Sequence, residues 1–245
     1  MKTFLFELCV ESLQAAQAAE QGGADRIELC ERLDLGGITP GDKLTSATIQ
    51  ALSIPVHVLI RPRGGDFVYS AAEFEQMKLR VNRIKQLGAA GAALGVLLAD
   101  GCVDEERSRE LVELARPMKV TFHRAFDRTP EMDEALEAVI RTGADCLLTS
   151  GGAPNVLAGV KQLKRLVIQA GDRIQIMAGG GLRLDSIAEV LEQTGLRCLH
   201  GSLTRRAGDG PPESSKTEGK AAILEADVRT AVRMMQGHFA SELKS

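Results

Sequence analysis

Short aliphatic and β-branched runs alternate with longer stretches of helical period along almost the whole chain. The runs predict strands over Phe4–Val10, Arg26–Cys30, Val56–Ile60, Ala93–Leu98, Val120–Arg124, Cys146–Thr149, Ile174–Ala178 and Cys198–Gly201. The stretches between them predict helices over Ser12–Gly22, Thr45–Leu52, Ala71–Leu87, Glu105–Ala115, Glu131–Thr142, Asn155–Ala170, Leu184–Thr194 and Ala222–Gln236. Ser12 reads as an N-cap, and Gly22-Gly23, Gly88 and Gly143 read as helix stops before short turns. Strand–helix units repeated through 245 residues predict an α/β protein of one domain, a TIM-type (β/α)8 barrel. An open doubly wound sheet is the alternative, but Val10-Glu11-Ser12-Leu13 is no Gly-rich nucleotide fingerprint. The polar, Gly/Pro-rich stretch 204–219 breaks the rhythm and reads as a loop after the last strand, on the catalytic side of such a barrel.

Side chains alternate along a strand, so each strand's inward face can be read. Val56, Val58 and Ile60 should face the helices, which turns His57, Leu59 and Arg61 inward. By the same reading Glu7 and Cys9, Glu28 and Cys30, Thr121 and His123, and Cys198 and His200 each share a face. Phe122 and Arg124 share the opposite face of their strand from His123. Charged groups at strand C-termini of this fold serve chemistry or pair with one another. The pairing form would be an internal salt-bridge layer of Glu7, Glu28 and Arg61.

Composition removes several alternatives. Aromatic residues are 3% of the chain and net charge is −3, so neither the basic patch nor the stacking platform of a nucleic-acid binder is visible. No apolar run approaches the length of a membrane span. Glu7 interrupts the first apolar run, unlike a signal peptide, and the expected location is the cytoplasm. The cysteines, Cys9, Cys30, Cys102, Cys146 and Cys198, are scattered and odd in number, which suits reduced thiols. The alanine-rich helices leave a homo-oligomer open.

The run Arg61-Pro62-Arg63-Gly64-Gly65-Asp66-Phe67, at the end of a buried strand, is the strongest local signal. Two arginines with paired glycines suit a site on the barrel rim. The plainer reading is a surface loop in which Asp66 pairs with Arg63. Cys9 and Cys30 stand at corresponding places on neighbouring strands, where two thiols suit a soft ion such as Cu(I). His123 or His200 would be further ligands for zinc. On spacing alone the plainer reading leads, that buried cysteines pack as small hydrophobes. Gly179, Gly180 and Gly181 after strand 7, and Gly201 and Ser202 after strand 8, fall where this fold often binds phosphate. Ser150 extends that polar rim.

Several segments together resemble one family, that of the copper homeostasis protein CutC. They are Gly23-Ala24-Asp25-Arg26-Ile27-Glu28-Leu29-Cys30, Gly36-Gly37-Ile38-Thr39-Pro40, Ile60 to Phe67, Val120-Thr121-Phe122-His123-Arg124-Ala125-Phe126-Asp127, and Leu147-Leu148-Thr149-Ser150-Gly151. The resemblance runs from Phe4 to about Leu203, and the tail beyond differs from the family's usual one. It implies a cytosolic TIM-type barrel and copper tolerance, with Cys9 and Cys30 in the positions proposed to bind Cu(I). Many members have two consecutive cysteines in the first strand, whereas here Val10 follows Cys9.

Two functions remain open from the residues. One is Cu(I) handling through Cys9 and Cys30. The other is an isomerase, epimerase or lyase acting on a small anionic or phosphorylated molecule. In that second reading Glu28, His123 and Arg61 are the catalytic candidates. Arg63, Arg124, Ser150, Gly179, Gly180, Gly201 and Ser202 would hold the anion.

Overall fold

A computed structural model describes residues 4–203 and 225–242. Eight parallel strands, each hydrogen-bonded to the next in sequence, close into a barrel when β8 pairs with β1. The strands are β1 (Leu5–Val10), β2 (Arg26–Leu29), β3 (Val56–Leu59), β4 (Gly91–Leu94), β5 (Lys119–Phe122), β6 (Cys146–Thr149), β7 (Gln175–Gly179) and β8 (Cys198–Gly201). The helices are α1 (Leu13–Gly22), α2 (Asp42–Ala51), α3 (Ala71–Leu87), α4 (Glu105–Ala115), α5 (Met132–Thr142), α6 (Val160–Ala170), α7 (Ile187–Thr194) and α8 (Glu225–Glu242).

Local chemistry sets the helix ends. Ser12 caps α1 by accepting from the Ala15 N–H, and Ser70 forms a reciprocal capping box with Glu73 on α3. Asp104 caps α4. Elsewhere the boundaries differ from the sequence expectation. Helix α2 begins at Asp42 rather than Thr45, because Gly41 is its N-cap. Helix α6 begins at Val160 rather than Asn155, because the Asn155 side chain accepts from Ala158 N–H and closes a separate turn. Strand β4 lies earlier than expected, since Gly91 pairs with His57 and the chain leaves the sheet after Leu94. Residues 204–224, with the stretch 204–219, fall outside the described residues. The last helix continues beyond Gln236 to Glu242.

Most of the apolar core lies between barrel and helices. Val56, Val58 and Ile60 belong to it, together with Phe6, Leu8, Phe122 and Leu147, as alternation predicts. The last helix joins through Phe239, which stacks on Phe4 at 5.7 Å. Inside the barrel the apolar clusters are small and rich in sulfur. One is Cys9, Cys30, Leu59 and Ala93, and the other is Cys146, Leu148, Met177 and Cys198. Polar residues fill much of the remaining interior, and they define the site.

Candidate functional site

The strand register stacks the interior charges. Glu7 stands opposite Arg26 on β2 and opposite His200 on β8. Its carboxylate takes a hydrogen bond from Arg26 Nε and lies 2.7 Å from His200 Nδ1. Arg26 also donates to Met177 Sδ at 3.6 Å. Burial opposes ionisation of Glu7, but the Arg26 guanidinium and His200 hold its carboxyl well below the usual carboxylate range. Burial likewise opposes a charge on His200, yet its bond to Glu7 and the nearby Glu28 raise it. The internal charge layer therefore exists, but Arg26 occupies the place assigned to Arg61. The alternation Arg26, Glu28, Cys30 carried that signal.

One residue pair further along, toward the strand C-termini, lies the mouth. A cavity of about 220 Å³ is lined there by Cys9, Glu28, Arg61, His123, Arg124 and His200 among others. Cys9 stands opposite Glu28 in the register, so Cys9 and Cys30 are not level as the sequence suggested. Their sulfurs nevertheless meet at 3.4 Å, because Cys30 turns in just past the end of β2. Cys9 Sγ also lies 3.5 Å from Glu28 Oε1. The hydrogen bond with Cys30, burial and the Glu28 carboxyl together push the Cys9 thiol well up. Burial raises Glu28 as well, and its Oε2 has no partner among the described residues. Ligand atoms of Cys9, Glu28 and His200 all lie within 4.8 Å of one another, a spacing that can hold a metal ion. With Nδ1 of His200 engaged by Glu7, Nε2 is the ring atom left for an ion, oriented as carboxylates orient metal-binding histidines.

Arg61 points into the mouth as alternation requires, and is 5% exposed. Its Nη1 donates to the carbonyls of Leu35 and Gly37, and Nη2 to that of Gly65. The guanidinium lies 4.7 Å from the centroid of the Phe67 ring. Its Nε has no hydrogen-bond partner among the described residues. Two residues on, Arg63 leaves the mouth and pairs with Asp66 at 2.9 Å and Glu73 at 2.6 Å. The plainer reading of this loop thus describes Arg63, and the site reading describes Arg61.

His123 caps the turn after β5, its Nδ1 accepting from the Ala125 N–H at 3.3 Å. Gly95 makes room for it, since a Cβ there would sit 2.7 Å from Nδ1. Burial and the Arg61 charge lower His123 to about 3, so it is neutral. The strand ends at Phe122, two residues before the expected Arg124. The tight turn that follows swings Arg124 over the mouth, although simple alternation placed it outward. Arg124 donates to Asp127 at 2.7 Å and to Ser150 Oγ at 3.1 Å, and lies against Gly180, where a Cβ would come within 2.7 Å of Cζ. Asp127, not singled out by the sequence reading, collects the backbone N–H groups of Ser150 and Gly152. Gly180, Gly181, Gly201 and Ser202 line the cavity, whereas Ser150 and Gly179 are not among its lining residues. Phe67, also missed, supplies the ring between Arg61 and His123.

The chain matches the sequence model of the CutC family over residues 4–205. It is 48% identical over 196 residues to a CutC family protein of Mesorhizobium japonicum, covering 80% of this chain and 76% of that one. It is 44% identical over 207 residues to the human copper homeostasis protein cutC homolog, covering 84% and 76%. The crystal structure of the putative copper homeostasis protein CutC from Streptococcus agalactiae superposes with a TM-score of 0.78 at 31% identity, covering 82% of this chain and all of that one.

Proposed function

Because the chain belongs to the CutC family, we propose that it handles copper, binding Cu(I) through Cys9 and Cys30. One observation carries this reading: two free thiols 3.4 Å apart, one of them lining the open cavity. Soft thiolates are the ligands Cu(I) prefers, and two suffice for it. His200, grouped with Cys9 and Glu28 at ligand-atom spacings within 4.8 Å, is a further candidate ligand. The ion is cargo here, entering through the mouth, and the expected location of such a protein is the cytoplasm. Among the described residues no helix is long and apolar enough to cross a membrane.

The raised Cys9 thiol means that ion uptake must displace protons, so affinity rises with pH. The test is titration of the reduced, metal-free protein with Cu(I) against a competing chelator, beside the Cys9→Ser, Cys30→Ser double variant. One equivalent bound by the native chain and none by the variant is the expected result. Equal retention by both would remove the thiols from the site.

A further inference from the structure

We propose that the mouth also holds a small organic carboxylate, bound by Arg61 and His123 against an apolar wall. This site goes beyond copper handling and uses neither thiol. It rests on an imbalance of charge. Arg61 is a nearly buried cation whose hydrogen bonds among the described residues go to backbone carbonyls, with the neutral Tyr69 hydroxyl beside it. Among the described residues none of its contacts is a carboxylate. A buried charge without a counter-charge is costly, and interiors seldom leave one uncompensated.

Hydrogen-bond arithmetic gives the missing partner's chemistry. Among the described residues Arg61 Nε–H meets no acceptor at hydrogen-bond geometry, although the Tyr69 hydroxyl lies near the guanidinium. The Ala125 N–H already occupies His123 Nδ1, so the ring proton sits on Nε2, and that donor is also unpartnered. Phe67 contacts both groups, its ring 4.7 Å from the Arg61 Cζ and 5.1 Å, centroid to centroid, from the imidazole. Two free donors flanking one ring call for a ligand that only accepts. A carboxylate has an oxygen for each. Leu33, Leu59, Phe67 and Leu148 line the same cavity, so the rest of the ligand is short and apolar. A space of about 220 Å³ lies below the range of drug-sized pockets, roughly 300–1,000 Å³, and suits a molecule of a few carbons.

The test is calorimetric titration of the full, metal-free chain with sodium butyrate, butyramide and inorganic phosphate. Butyrate is expected to bind and to shift the Nε2 nitrogen resonance of His123. Butyramide, the same shape without the charge, should bind at least about tenfold more weakly, the loss expected when a charged hydrogen bond becomes neutral. His123→Phe keeps the ring against Phe67 and removes the donor, and should weaken butyrate about tenfold. Arg61→Lys keeps the charge and removes the Nε–H, and should weaken it too. Cys9→Ser with Cys30→Ser should leave butyrate affinity unchanged even where copper binding is lost, which separates this site from the thiol site. No butyrate binding at millimolar concentration would overturn the proposal. So would equal binding of butyramide, or phosphate binding without carboxylate binding. If either variant fails to fold, the butyramide comparison and the His123 resonance still decide.

Discussion

Two polar regions sit one step apart inside the same barrel, and they are built in opposite ways. In the deeper one, Glu7, Arg26 and His200 satisfy one another, with the Glu7 carboxylate held between the Arg26 guanidinium and the His200 ring. In the mouth, Glu28, Arg61 and His123 each keep a buried polar atom with no partner among the described residues. Native interiors leave few such atoms, and three on one cavity wall need a reason. The deeper region is a finished network that holds strands β1, β2 and β8 in register. The mouth is an unfinished one, with space beside it for a ligand to complete it.

The largest effect should come from breaking the finished network. Arg26→Met leaves Glu7 buried without its main counter-charge and should cost about 3–5 kcal/mol in urea unfolding at neutral pH. A loss under about 1 kcal/mol would mean that the network is not what holds the strands.

A middle effect should appear with acid. Burial lowers His57 to about 4, and burial with Arg61 lowers His123 to about 3, against an ordinary 6.5. Between those values the unfolded chain binds more protons than the folded one. Stability is therefore complete above pH 6.5 and falls as pH drops toward the folded values, by about 2 kcal/mol for each histidine at pH 5. His123→Phe should flatten the slope of unfolding free energy between pH 5 and 6 by about one proton. An unchanged slope would show that His123 is not held neutral.

The smallest effect should come from the unfinished network. Glu28→Gln loses no bond at Oε2, which has none, and relieves a carboxyl that burial already disfavours. Its stability should stay within about 1 kcal/mol of the native chain. A cost as large as that of Arg26→Met would place Glu28 in the structural network and erase the distinction between the two regions.

Much of this was legible in the amino-acid order, because it depends on periods and on local backbone chemistry. Alternation along a strand sorts Val56, Val58 and Ile60 from His57, Leu59 and Arg61 without any tertiary information. Glycine stops mark where helices hand over to strands and Ser12 marks a helix start, and the repetition of strand–helix units implies the closed barrel. The inward direction of Cys9, Glu28, His123 and His200 follows from the same parity. What tertiary structure alone decided is which inward groups meet. Register gave Glu7 to Arg26 and left Arg61 to carbonyls of two loops, Leu35 with Gly37, far from it in sequence, and Gly65 just beyond it. A turn after Phe122 brought Arg124 over the mouth against the parity of its strand, while Asp66 and Glu73 drew Arg63 away. Period is a property of neighbours along the chain. The partner of a charge is set by how strands far apart in sequence come together, and no short segment contains that information.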